Sequence, residues 1–398
     1  MKRKIGLMGI GLSVLSLMLC YIWGCNSDSD STAQEIQDVE YEMWANLGDK
    51  AAKEAIDILS NAPETKSAFR EDLIVLTNAG YAVIDGHTTQ ACLDGLRNET
   101  GASVGNTRLI NVHSASTSPL WFFLYEKNSG NGVYCETETS AINLSNFEVA
   151  DDPFAQVKLY NIKADDEHLY ANFSEANEEL FVNKGFGGNE FRIISIANAV
   201  AEGAPYDLTR AFLYHDHFCP GVTSGYLLVK YLEKHFPLTE TYNKYFILSI
   251  PPWCKDDALI TMLNETPGKR GYGVFHLNDE DKAKLKDEAK NIAGIFFRWN
   301  GDSNNPMGEG IVLSFDFSES KKLNNWGEDT PWNWWESRFK MDIWLLDYLN
   351  MPEDFVEVIP FNGNNTFFLE DLEGITQPSD MVRPGMNPLQ LLGLQNQG

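Results

Sequence analysis

Seven residues constrain this chain more than any others: His215-Asp216-His217-Phe218-Cys219-Pro220-Gly221. Two imidazoles and a thiol at every second position, closed by Pro-Gly, read as a strand over 211–219 that breaks and opens a helix. In an extended segment side chains alternate faces, so His215, His217 and Cys219 project from one side, about 6–7 Å apart between successive Cα atoms. Such donors suit Zn²⁺ or a similar divalent ion. A Cys at a helix start also has its thiolate favoured by the helix dipole.

A second segment repeats that logic. Cys254-Lys255-Asp256-Asp257-Ala258 follows a strand expected at 244–250 and starts a helix expected at 255–263. It leads into Thr266-Pro267-Gly268-Lys269, which is too short and glycine-poor for a phosphate loop. Around these segments the patterns predict a helix over 222–236 and strands over 273–276, 292–299 and 310–317. A charged helix is expected over 280–291, capped by Asn278 or Asp279. Upstream, apolar residues every three or four positions predict a helix over 35–60, broken near Gly48. Strands are expected at 109–112, 120–125 and 133–135, with a helix at 88–98.

His215-x-His217-x-Cys219-Pro220-Gly221, with Gly225 four residues on, resembles the H-x-H-x-C-P-G-x-x-x-G motif of the FmdE family, which takes its name from formylmethanofuran dehydrogenase. Cys254-x-x-Asp257-Ala258 and Thr266-x-Gly268-Lys269 resemble that family's second motif, with Asn264 where Gly is usual. The resemblance covers about residues 206–320. It implies an α+β fold, with a mixed or antiparallel sheet and packed helices, and a metal site. His217, Cys219 and Cys254 are implied as ligands, with His215 as a fourth ligand or its support, and Asp257 and Lys269 around them. Zinc is the default metal. Family members are often dimeric, and many carry a zinc ribbon, for which this chain has no C-x-x-C. The competing reading is a Cys219–Cys254 disulfide beside ordinary core histidines.

Asp85-Gly86-His87-Thr88-Thr89, with Gly95 eight residues after His87, echoes 215–219 and Gly225. Either the match is chance, or residues 35–205 are a degenerate copy packed on the second as a pseudo-dimer. In the latter case His87, and His113 on the next strand, are additional candidate donors.

Lys2, Arg3 and Lys4 precede an apolar run over 5–24, as in a secretory signal peptide. Ile22-Trp23-Gly24-Cys25 resembles a lipobox, with Cys25 lipidated; the alternative is an uncleaved signal anchor. Both place the body outside the cytoplasm, on a membrane, behind a polar tether over 25–34. Lys and Arg number 31 against 57 Asp and Glu, a net charge of −26 that repels phosphate backbones and argues against nucleic-acid binding. Beyond residue 320 the chain is Trp-rich. A helix starting at Thr330-Pro331 is expected to pack its tryptophans on the sheet, with ligand stacking as the lesser reading.

The sequence leaves two functions standing. One is a metal site that binds or transforms a small molecule at an open coordination position. The other is a non-catalytic lipoprotein that captures a metal ion or chelate for uptake or a redox partner. No ordered catalytic triad or paired carboxylates define a reaction.

Overall fold

Side-chain alternation in the strands divides the interior into three layers. In strand β1 (Leu73–Thr77), Ile74 and Leu76 join one core while Leu73 and Val75 join another. The computed structural model describes residues 28–62, 69–154, 160–318 and 334–396. The leader 1–24, Cys25, Thr330-Pro331, Trp326 and Trp332 lie outside them. Among the described residues no helix is long and apolar enough to cross a membrane.

The fold is α+β, as expected, with a five-stranded and a six-stranded mixed sheet. The first holds β1, β2 (Leu109–Asn111), β3 (Trp121–Glu126), β4 (Asn131–Glu136) and β5 (Tyr160–Lys163), in the order β2-β1-β3-β4-β5. The second holds β6 (Lys244–Ser249), β7 (Tyr272–Val274), β8 (Ile292–Trp299), β9 (Gly308–Phe315) and β10 (Val356–Val358). Its order is β7-β6-β8-β9-β10, with the short pair Phe367–Phe368 added beside β9. In both, only the first pair is parallel.

Each sheet has its own helix pair. Helices α1 (Asp28–Ser60) and α2 (Cys92–Thr100) cover the first, burying Trp44, Leu47, Ala51, Ala55 and Leu59. The helix is unbroken at Gly48, and residues 28–34, expected as structureless tether, form its first turns. Gly48 faces the other helix instead: a Cβ there would stand 2.1 Å from the Cys92 carbonyl oxygen, so only glycine permits the crossing.

Helices α3 (Glu190–Ala201) and α4 (Tyr206–Tyr214) lead to α5 (Pro220–His235) and α6 (Lys255–Leu263), the pair of the second sheet. The central core combines them with Tyr245, Ile247 and Phe296 of the second sheet and with Ile74, Phe123 and Tyr125 of the first. Helix α7 (Trp334–Leu346) buries Trp335, Phe339 and Leu345 in the same core. The outer face of the second sheet is covered by the coil after β10, through Phe367, Leu372, Met381 and Leu389.

Two sequence expectations need correction here. The strand expected over 211–219 is instead the end of a helix, Tyr206–Tyr214, followed by a turn, because Leu208, Ala211 and Phe212 are buried at helical spacing. The charged helix expected over 280–291 is a single capped turn, Asp279–Ala283, closed by a capping box on Asn278, followed by a 3₁₀ turn. Its residues bury no apolar face, so nothing extends it.

Candidate metal centre

The donors converge because α4 stops and α5 starts again at once. His215 is the residue at which α4 ends. Asp216 then takes a left-handed conformation, φ 72°, which reverses the chain. Cys219 is extended and caps α5, with Pro220 in the first helical position. Cys254 occupies the corresponding position at the start of α6. One donor atom from each of His215, Cys219 and Cys254 lies within 4.8 Å of the others. A helix end, a turn and two helix starts therefore assemble this cluster, in place of one face of a strand.

The motif glycines explain the approach. A Cβ on Gly221 would meet the Cys254 Cβ at 2.7 Å and its Sγ at 3.2 Å. One turn on, a Cβ on Gly225 would stand 2.3 Å from the Lys255 carbonyl oxygen and 2.8 Å from the Ala258 Cβ. P-G-x-x-x-G and C-x-x-D-A are the two sides of one helix crossing.

Asp257 holds the imidazole. His215 Nδ1 lies 2.6 Å from Asp257 Oδ2, leaving Nε2 for the sulfurs. That Nε2 is buried without a well-formed hydrogen bond. A carboxylate behind a histidine is how metal-binding imidazoles are oriented, so the residues present fit a metal ion. Burial opposes a charge on His215, but the hydrogen bond to Asp257 and then the neighbouring Cys254 sulfur outweigh it and raise its pKa to about 9. Cys254 is held as thiolate by the hydrogen bond from Cys219 and by the two histidines, against burial. Cys219 is correspondingly kept as thiol, through that same hydrogen bond and by burial.

His217 is not in the three-donor group. Its ring lies 4.4 Å from that of His215, between centroids, and edge-on to Phe191. Its Nδ1 bonds Asp216 Oδ1 at 2.8 Å, and Asp216 Oδ2 accepts from Arg192 at 2.7 Å. Burial alone would raise the Asp216 pKa; the bonds from His217 and Arg192 prevail and hold it below the carboxylate range. His217 instead lines a cavity of about 700 Å³ that also reaches Cys219 and Cys254. Phe191, Trp253 and Trp334 form part of its wall, together with Arg192 and Arg338.

The remaining candidates lie elsewhere. Lys269 is exposed and bonds the Asn264 carbonyl, fixing the turn after α6. His87 sits in a two-residue ribbon and pairs with Glu40 of α1 at 2.7 Å. His113 stacks on Tyr214 and reaches its carbonyl at 3.2 Å, next to the cluster's backbone and outside the three-donor group. The four cysteines Cys92, Cys135, Cys219 and Cys254 are unbridged. Sequence reasoning missed Arg338 and Asp342 on α7, since no motif marks a residue that arrives from 120 positions downstream.

The comparisons agree with this geometry. No curated protein matches the chain. Residues 214–356 match the family model FmdE, described as molybdenum formylmethanofuran dehydrogenase operon. The match extends past residue 320, through α7 to the first residue of β10. From the end of α4 to β10, this chain carries an FmdE-like domain.

Proposed function

We propose that the protein holds a divalent metal ion at His215, Cys219 and Cys254, zinc by default, and presents it to a small molecule in the adjoining cavity. The carrying observation is the convergence of three donors, one a buried imidazole nitrogen without a hydrogen-bond partner, at a cavity that both cysteines line. Three protein ligands leave a tetrahedral ion one position for a further group. A bound metal would supply Lewis acidity there. Asp257 orients His215, and the turn at Asp216 presents His217 to the cavity with Nδ1 engaged and Nε2 available to bind or move a proton.

The aromatic wall favours a second reading, non-catalytic capture of a metal chelate for an uptake system or a redox partner. On either reading the leader motif supports a position outside the cytoplasm, tethered through lipidated Cys25 or an uncleaved anchor.

Metal analysis of protein purified without chelator tests the site. Wild type is expected to carry one divalent ion per chain, and Cys219→Ser and His215→Ala none. Metal-free wild type with a Cys219–Cys254 disulfide would overturn the proposal. His217→Ala retaining the ion while losing turnover of a bound small molecule would favour transformation over capture.

A further inference from the structure

The charged groups lining the cavity are unequally engaged. Glu190 is buried and satisfied, its Oε1 accepting the backbone N–H groups of Phe186 at 3.1 Å and Gly188 at 2.8 Å. Arg192 is neutralised by Asp216 at 2.7 Å and also bonds Asn189. Arg338 differs. It is exposed on the cavity wall, with its guanidinium 5.3 Å from the Trp334 ring centre, and among the described residues no carboxylate pairs with it. Asp342, one turn further along α7, is sealed from solvent with both oxygens unbonded; burial raises its pKa well above the carboxylate range against the Coulombic pull of Arg338, and no hydrogen bond joins the two. In a chain with 57 acidic residues and 31 basic, a guanidinium that faces a cavity with no hydrogen-bonded carboxylate among the described residues is a place for an outside anion. Its planar fork matches a carboxylate.

The walls specify the rest of the ligand. Phe191 and Trp334 rings lie 5.3 Å apart and Phe181 meets Trp334 edge-on at 5.9 Å, giving a rigid aromatic surface beside Arg338. Trp253 stands next to Cys254 and also lines the space. A volume of about 700 Å³ is that of a small-molecule site. Soft donors at Cys219 and Cys254 occupy one part of this wall, and the guanidinium another.

We propose that the cavity binds a small planar carboxylate, its anion on Arg338, its ring against Phe191 and Trp334, and its far end at the His215–Cys219–Cys254 cluster. This deepens the metal-site reading and rests on it for the last contact alone.

The probes are 4-(imidazol-1-yl)benzoate, which carries a metal-binding nitrogen opposite its carboxylate, and the corresponding benzamide. Binding is measured by calorimetry to zinc-loaded and metal-free protein. Wild type is expected to prefer the acid over the amide by about tenfold or more, the scale of a charge-assisted pair. Arg338→Gln should reduce that ratio to near one while keeping its zinc stoichiometry, which also reports that the variant is folded. Arg338→Lys should keep part of the ratio. Removing zinc should weaken both probes and leave the ratio intact.

Equal binding of acid and amide to wild type, no binding of either, or a preference unchanged in Arg338→Gln overturns the proposal. Displacement of the acid by inorganic phosphate at equal concentration also overturns it, since the aromatic wall would then contribute nothing. Failure to load zinc, with the acid still preferred by metal-free protein, would sink the metal reading and leave the carboxylate site standing.

Discussion

The two halves of the chain set the same scaffold to different uses. Both sheets run with one order and one set of orientations, and each is preceded by a long helix crossed by a nine-residue one. The crossings are made alike, Gly48 against the Cys92 carbonyl and Gly225 against the Lys255 carbonyl. Counting back from those glycines, His215 and Cys219 correspond to Asp38 and Glu42, and Cys254 corresponds to Ala91. In the N-terminal half α1 runs unbroken through these positions. In the C-terminal half the helix stops at His215 and restarts at Cys219, which turns three donors inward. Sheet and crossing are thus separable from chemistry, and the interrupted helix carries the difference. The echo of 215–219 at 85–89 is out of register with this correspondence, since it precedes α2 rather than the start of a long helix.

The halves also share the central core unequally. The second sheet contributes the face under its own helix pair, whereas the first contributes the face opposite its pair. A two-fold pair buries equivalent faces. This contact is head-to-tail.

The largest expected effect tests which half holds the metal. Cys254→Ser should abolish stoichiometric binding, whereas Cys92→Ser should leave it complete by elemental analysis. Cys92 is sealed under α1, where burial raises its pKa far above the thiol range, so it offers no thiolate. Loss of metal in Cys92→Ser with the fold intact would break the assignment.

Next in size is the crossing. Gly48→Ala and Gly225→Ala each press a methyl group into a carbonyl, at an expected cost of about 1–3 kcal/mol or more in chemical denaturation. Only Gly225→Ala should also weaken metal binding, because it displaces the helix that begins at Cys254. Equal effects on metal affinity would mean that the two crossings are not independent.

What the sequence disclosed, and what it hid, follows the same division. The helix over 255–263 and the strand over 292–299 were legible to the residue, because Cys254-Lys255 opens one and an apolar run from Ile292 to Phe297 forms most of the other. The cluster residues were legible as residue types. Their geometry was not, because Ala211–Tyr214 has both strand-like composition and helical spacing, and the buried set of α4 decides between them. His217, implied as a ligand by the family resemblance, lies outside the three-donor group and lines the cavity. The Trp-rich stretch showed its packing role in Trp335, which stacks on Phe181 at 4.6 Å. Trp334 faces the cavity, a distinction that spacing alone does not carry.

Smaller effects concern the carboxylates behind the histidines. Asp257→Asn should lower metal affinity by about 10–100-fold, the range for residues supporting a ligand. It should also change the pH profile. In metal-free protein His215 keeps its proton up to about pH 9. Binding must displace that proton and the one on Cys219, so affinity should rise by up to about a hundredfold per pH unit from 7 towards 9. Above that range the His215 contribution levels off. In the Asp257→Asn variant the support for the imidazolium is lost, and levelling should begin at lower pH. Competition titration with a chelator of known pH dependence measures both; a flat profile in wild type would contradict a protonated His215.

The smallest effect is expected at the N-terminal histidine. His87 also has a carboxylate at 2.7 Å, but its partner Glu40 lies on α1 and the ring is about one-third exposed. An exposed pair of this kind contributes within about 1 kcal/mol, so His87→Ala should shift the denaturation midpoint slightly or not at all. Metal stoichiometry, affinity and pH profile should match wild type. The two histidine–carboxylate pairs then separate cleanly: one faces two cysteines across a glycine crossing, the other faces solvent. If His87→Ala lowered metal affinity as Asp257→Asn does, the N-terminal half would be contributing to the site, and its uninterrupted helix would no longer explain why its described residues form no three-donor group.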